Sequence, residues 1–270
     1  NVLNRRSMMV GTASALALAS GLAGSKGALA QQNLRVRRNI ANMSLNDPDL
    51  VALRSFVDEM RGRNPSNAIS WIKFADIHGG SYKFNNCQHG NWYFLPWHRA
   101  YLDMYEKAVI ELTGRTQFAM PYWDWSTQRA YPPAFTDPLY QGKPNPLFSP
   151  LVGDDMRQVR KPVPSLPPTE TGPDKIRQLL NATILENFGG GRPFDQTVTP
   201  PQVQNSVSSI WLGRPGSISE LESGPHNYVH DEVNGYMGFP AAARDPLFFL
   251  HHANRTQMRI IQQARDGIIG

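Results

Sequence analysis

His226 and His230 stand four residues apart in GPHNYVHDEV, so on a helix both imidazoles leave the same face. That makes a two-toothed clamp for a metal ion. Twenty-one residues after His230, His251 and then His252 close an apolar run. Adjacent helical residues point about 100° apart, so one of the two can face the centre that His226 and His230 face. The chain has seven histidines, and the other three, His78, His89 and His98, fall within 21 positions. Ligation by imidazole, without a cysteine pair or carboxylates in the clusters, suits copper or zinc better than magnesium or calcium. Two groups of three suggest a binuclear centre.

Each group needs elements that aim it. Asp245 and Pro246 read as a helix cap and a proline at the first helical position, which starts a helix through His251 and His252. Phe94 to Gly114 reads as a long helix with Pro96 in its first turn. Its inward face is traced by His98, Leu102, Tyr105, Val109 and Leu112. Nine residues of continuous helix would turn His89 about 180° away from His98, so His89 is placed in the polar loop of 79–91 and something else must orient it. Ser70 to His78 reads as a shorter helical or turn segment ending at Gly79 and Gly80. Asp47 to Arg61 reads as the first bundle helix, stopped by Gly62. Pro173 to Phe188 is a further helix, closed by Gly189 to Gly191.

Between these elements, residues 131–173 hold 11 of the 22 prolines and little periodicity. They read as a long ordered loop, anchored by Tyr140, Leu147 and Phe148, of the kind that shapes an entrance. The first 30 residues contain Arg5, Arg6 and Lys26 but no acid, so without these three the formal charge of +5 falls to +2 and nucleic acid is not implied. An arginine pair, a weakly apolar Ala- and Gly-rich run, and Ala28-Leu29-Ala30 resemble a twin-arginine export signal. The run is too short and weak for a stable membrane anchor. The expected organisation is therefore a leader at 1–30 and one domain at 31–270, exported to the periplasm or secreted. Cys87 is the single cysteine, so no internal disulfide exists and its place two residues before His89 asks for another explanation.

The stretches FLPWHRAYLDMYEK, MPYWDWS, GPHNYVH and DPLFFLHHAN, in this order, resemble the tyrosinase family of binuclear copper proteins, which includes catechol oxidases and haemocyanins. The resemblance runs from about Arg35 to Gln257. It implies a mainly α domain, a four-helix bundle around two copper ions with long Pro-rich loops outside. It implies that one copper is held by His78, His89 and His98 and the other by His226, His230 and His252, with His251 as a near neighbour. Cys87 matches a cysteine that forms a thioether to the second histidine, here His89, which would fix the loop-borne ring. Glu222 matches a glutamate that helps hold a water near the metals, and Asn227 an asparagine associated with activity on monophenols. The bland alternatives are helix-start stabilisation by Glu222 and ordinary capping by Asn227.

What the resemblance implies for function is oxidation of phenols and o-diphenols by dioxygen to o-quinones, with Glu222 and Asn227 as the catalytic pair and aromatic residues such as Phe248 choosing the ring. A small phenolic substrate and a copper-delivery protein are the implied partners. A catechol oxidase without monophenol hydroxylation, a haemocyanin-like dioxygen carrier and a metal-free structural protein are the alternatives. One departure stands out: the family continues HHAN with a residue and then Asp-Arg, whereas this chain has Thr256 where the Asp is expected. The chain stops 18 residues after His252, the length of a short form or a fragment.

Overall fold

The computed structural model describes residues 35–80, 83–148, 159–162, 164–182, 184–195, 202–203 and 216–254. The leader and cleavage site expected at 1–30, and Thr256, lie outside these described residues. Helix α1 spans Pro48–Gly62, capped by Asp47, whose side chain accepts from the Asp49 N–H. Pro48 at its first position costs nothing, because that N–H has no partner inside a helix. Leu50, Leu53, Val57 and Met60 recur at helical spacing and are buried. The expected start and stop are met to within two residues.

A short helix α2, Trp71–Ala75, begins at Ser70, whose hydroxyl accepts from the Lys73 N–H, and runs through a turn to His78. The long helix α3, Phe94–Thr113, buries His98, Leu102, Tyr105 and Val109 as expected. It ends at Gly114, whose φ of +70° is the left-handed conformation that lets its N–H return to Ile110 O. Helix α4, Pro168–Thr171, lies within the end of the Pro-rich stretch expected to be loop, and α5, Pro173–Leu180, begins where that stretch ends. The helix expected over Pro173 to Phe188 is broken in two: α5 ends at Leu180 with Asn181 as its cap, and a separate α6, Leu185–Gly189, starts after Ile184, whose backbone is extended (φ −106°, ψ 122°).

Residues 220–233 form a kinked helical segment: a π-type turn at Glu222–His226, with Gly224 off helical geometry and Pro225 inside it, leads into α7, Asn227–Val233. The helical residues 247–254, α8, start at Asp245, whose carboxylate accepts from the Leu247 N–H. Every residue from Leu247 to Ala253 is at most 1% exposed, so α8 is the central helix of the core. Phe249 packs on Tyr105 of α3, with ring centroids 3.9 Å apart, and on Trp71 of α2 at 6.1 Å. One hydrophobic core joins side chains of α1, α2, α3, α5, α7 and α8. Strand structure is confined, among the described residues, to two two-residue antiparallel hairpins. No described helix is long and apolar enough to cross a membrane.

The Pro-rich stretch is tied down from within. Leu147 is fully buried, and Tyr140 stacks under the Arg54 guanidinium at 3.8 Å. Arg160 donates through Nε to Asp245 at 2.6 Å and through Nη2 to the other carboxylate oxygen. Its remaining donors reach Phe135 O and Leu147 O, so one guanidinium ties the outer loop to the cap of α8.

Candidate metal centre

The structure gathers His78, Cys87, His89 and His98 into one group, and His226, His230, His251 and His252 into another. Within each group the potential ligand atoms lie within 4.8 Å of one another. His78 arrives from the end of α2 and His98 from the first turns of α3; His89 comes from the loop between them. His226 and His230 leave one face of the kinked segment and α7 with centroids 4.5 Å apart, as the spacing of four predicts.

The two groups share a wall. His98 stacks on His252 with centroids 4.2 Å apart and an interplanar angle of 20°, and His89 lies 6.1 Å from His226. This contact also separates the adjacent pair on α8. His251 is near His226 (5.2 Å) and His230 (4.8 Å), but its other neighbour is Trp125 at 6.1 Å. His252 lies 5.5 Å from His226 and 5.6 Å from His230 and also reaches the first group. Spacing alone left the choice between them open, because it fixes directions around α8 and not the position of the first group.

Ring orientation is set by hydrogen bonds at Nδ1. His78 Nδ1 is 2.7 Å from Pro240 O, His98 Nδ1 is 2.7 Å from Phe94 O, and His230 Nδ1 is 2.6 Å from Met237 O. A carbonyl oxygen can only accept, so each Nδ1 carries a proton, and in the neutral ring each Nε2 keeps its lone pair. His89, which no helix orients, donates from Nδ1 to Glu222 Oε1 at 2.9 Å. The same carboxylate accepts from the Gly90 N–H through both oxygens, at 2.9 and 3.0 Å. Glu222 is 1% exposed, and it fixes the loop of the first group from the element that carries the second. Cys87 Sγ sits 3.1 Å from His89 Nε2 and 3.2 Å from His98 Nε2, at the ends of the rings that face inward.

Above the histidines opens a cavity of about 540 Å³. His78, His89, His226 and His230 reach it from below, and Glu222 and Asn227 form part of its wall. Phe84, Ile218 and Phe239 stand at its mouth with large exposed surfaces, 45%, 50% and 47%. Asp231 also lines it, and neither Lys nor Arg does among the described residues. Partial burial and then the neighbouring Glu232 raise the Asp231 carboxyl above its ordinary value, against the opposing influence of Lys161. Phe248, singled out from the sequence as a chooser of the incoming ring, is instead fully buried behind the histidines, 3.9 Å from His252 and 4.8 Å from His78. Phe84, whose ring lies 4.4 Å from His89, is an aromatic neighbour that nothing in the sequence marks. Asp231 was legible in principle, one helical turn after Asn227 on the same face.

A helical core presenting two adjoining histidine groups beneath an open cavity has the donor atoms for a metal site, and comparison with known proteins gives the family. The profile described as the common central domain of tyrosinase matches residues 68–259, and the chain belongs to the tyrosinase family. A tyrosinase of Hahella sp. is 30% identical over 276 residues, covering 87% of this chain and 54% of that protein. A chloroplastic polyphenol oxidase of Vitis vinifera is 31% identical over 195 residues, covering 63% of this chain and 28% of that protein. The chain thus spans about half or less of the length of these curated relatives. Among solved structures, Grenache (Vitis vinifera) polyphenol oxidase has the same fold at a TM-score of 0.62, with 22% identity over 85% of this chain and 70% of that one. Tyrosinase from Burkholderia thailandensis aligns at a TM-score of 0.60, with 20% identity over 87% of this chain and 62% of that one.

Proposed function

We propose that the two histidine groups hold a pair of copper ions, and that the protein uses dioxygen to oxidise phenols and o-diphenols to o-quinones. The observation that carries this is the set of four Nδ1 anchors, at His78, His89, His98 and His230. They leave Nε2 as the donor atom on rings gathered under an open cavity, as metal-bound histidines require. Neutral imidazole suits copper, the metal that family membership implies. His78, His89 and His98 would hold one ion, and His226, His230 and His252 the other, with His251 beside them. Bound copper supplies the electrons for dioxygen and a Lewis-acidic seat for a phenolate, which no side chain in the cavity offers.

The chain's own part is to seat, orient and deprotonate the ring. Phe84, Ile218 and Phe239 flank the entrance with apolar surface suited to an aromatic ring. Glu222 holds His89 in place, and a water between its carboxylate and the Asn227 amide would receive the phenolic proton. The nearness of the Cys87 sulfur to the His89 ring supports a thioether between them, to Cε1, the carbon bonded to Nε2. Forming that bond removes the thiol hydrogen and the ring hydrogen as two protons and two electrons, with dioxygen as acceptor; a linked peptide would be lighter by two hydrogens. The leader points to export by a twin-arginine route to the periplasm or beyond, and a copper-delivery protein is the partner such a centre calls for.

Oxygen uptake by copper-loaded protein tests the reading, with 4-ethylphenol and 4-ethylcatechol as substrates and quinone absorption as the second signal. Uptake with both is expected. Uptake with the catechol alone makes the protein a catechol oxidase, and reversible oxygen binding without quinone makes it a carrier. Uptake with neither, in protein that binds copper, contradicts the proposal.

A further inference from the structure

One short segment orients a histidine in each group. Residues 235–244 make two 3-10 turns, Gly235–Gly238 and Pro240–Arg244, between α7 and α8. Their backbone brings Met237 O to His230 Nδ1 at 2.6 Å and Pro240 O to His78 Nδ1 at 2.7 Å. The first contact spans seven residues; the second spans 162 and ties one group to the other. The other two anchored rings do not depend on this segment, since His98 leans on Phe94 O of its own helix and His89 on Glu222. The segment is fixed where it starts by Asn234 and Gly235, both at positive φ (57° and 58°). At its far end Trp71 Nε1 donates to Arg244 O at 2.9 Å, and Arg244 Nη2 donates to Asp76 Oδ1 at 3.1 Å. The Pro240 carbonyl comes this close to His78 because residue 79 is glycine. A Cβ there would stand 2.6 Å from Pro240 O and 2.9 Å from Lys83 O, backbone on both sides.

A neutral imidazole carries its proton on either nitrogen, and the hydrogen bond made by one decides whether the other is left to bind a metal. We propose that residues 235–244 are a shared positioning element that sets the Nδ1–H tautomers of His78 and His230 together, so that the two copper sites form or fail as a pair, with Gly79 admitting the contact. This rests on the copper reading and adds to it a coupling between the sites. The two turns are laced to each other, because the Phe239 N–H donates to Tyr236 O and the Ala242 N–H to Phe239 O. A displaced Pro240 carbonyl therefore draws Met237 O with it, and both rings lose their acceptors. Metal at one group holds the segment in place for the other, and by linkage the effect is reciprocal.

The test uses metal-free, isotope-labelled full-length protein, in which long-range proton–nitrogen NMR correlation reads the tautomer of each histidine ring at about pH 8, where imidazole is ordinarily neutral. Gly79→Ala is expected to shift His78 and His230 together from the Nδ1–H form to a mixture with the Nε2–H form, while His89 and His98 keep theirs. Gly80→Ala, whose Cβ would meet no described atom within 4 Å, is expected to change none of them. Change at His78 with His230 unmoved would overturn the proposal, and so would no change at either. Should Gly79→Ala disturb all four rings, Arg244→Gln, which loosens the far end of the segment, decides: joint change at His78 and His230 supports the proposal and an unmoved His230 overturns it. Competition with a copper(I) chelator gives a second reading. Gly79→Ala is expected to weaken both ions about 10- to 100-fold, the usual cost of losing the partner that orients a ligand, and Gly80→Ala neither. Weakening of one ion alone overturns the pairing. Wild-type protein that binds no copper removes the copper reading, whereas the tautomer result is decided without metal.

Discussion

Arg160→Met is expected to destabilise the protein by about 3–5 kcal/mol, the cost of leaving a buried charge without its partner. Asp245 is 1% exposed, and both of its carboxylate oxygens accept from the Arg160 guanidinium. Methionine fills the space and removes the charge, so the Asp245 carboxylate remains in the core with the Leu247 N–H as the donor it keeps. For a domain of this size such a loss lowers Tm by roughly 10 °C. Differential scanning calorimetry reads it directly. Adding Asp245→Asn removes the stranded charge while keeping a capping oxygen for α8, and a large part of the loss is expected to return. If the double variant is no more stable than Arg160→Met, the unpaired carboxylate is not the cause. The consequence reaches the metal centre, because the same guanidinium fixes the start of the helix that carries His251 and His252.

Glu222→Ala is expected to lower copper affinity about 10- to 100-fold at the group of His78, His89 and His98, the usual cost of removing the partner that orients a ligand. Three contacts disappear together: one from His89 Nδ1 and two from the Gly90 N–H. The loop then loses the anchor that replaces a helix. Glu222→Gln keeps an acceptor oxygen without the charge and is expected to fall between the two. Titration with a competing copper chelator measures the affinity of each variant. A loss confined to the group of His226, His230 and His252 would contradict the assignment, since Glu222 shares a chain segment with His226 and His230 and yet its ring partner is His89.

Local signals were the readable part of this chain. Asp245 and Pro246, the spacing of His226 and His230, and the apolar face below His98 each depend on a few neighbouring residues, and the structure matches them. Contacts between distant segments were not readable. His89 is oriented by Glu222, 133 residues away, and Asp245 is paired with Arg160, 85 residues away. No periodicity connects such partners. The helix expected over Pro173 to Phe188 forms only as two pieces, ending at Leu180 and resuming at Leu185, although its apolar spacing continues across the break. Phe248 misled for the opposite reason: a helix buried on all sides offers no pattern that separates the face toward substrate from the face behind the histidines.

The most direct test of the copper pair is the copper content of purified full-length protein, measured by elemental analysis on the same sample whose cupric signal is integrated by electron paramagnetic resonance. Two adjoining histidine groups, with His98 and His252 in contact at 4.2 Å, predict two coppers per chain whose spins couple, so that the integrated signal falls far below the total copper. One copper per chain, or two that give their full cupric signal, would contradict a shared centre.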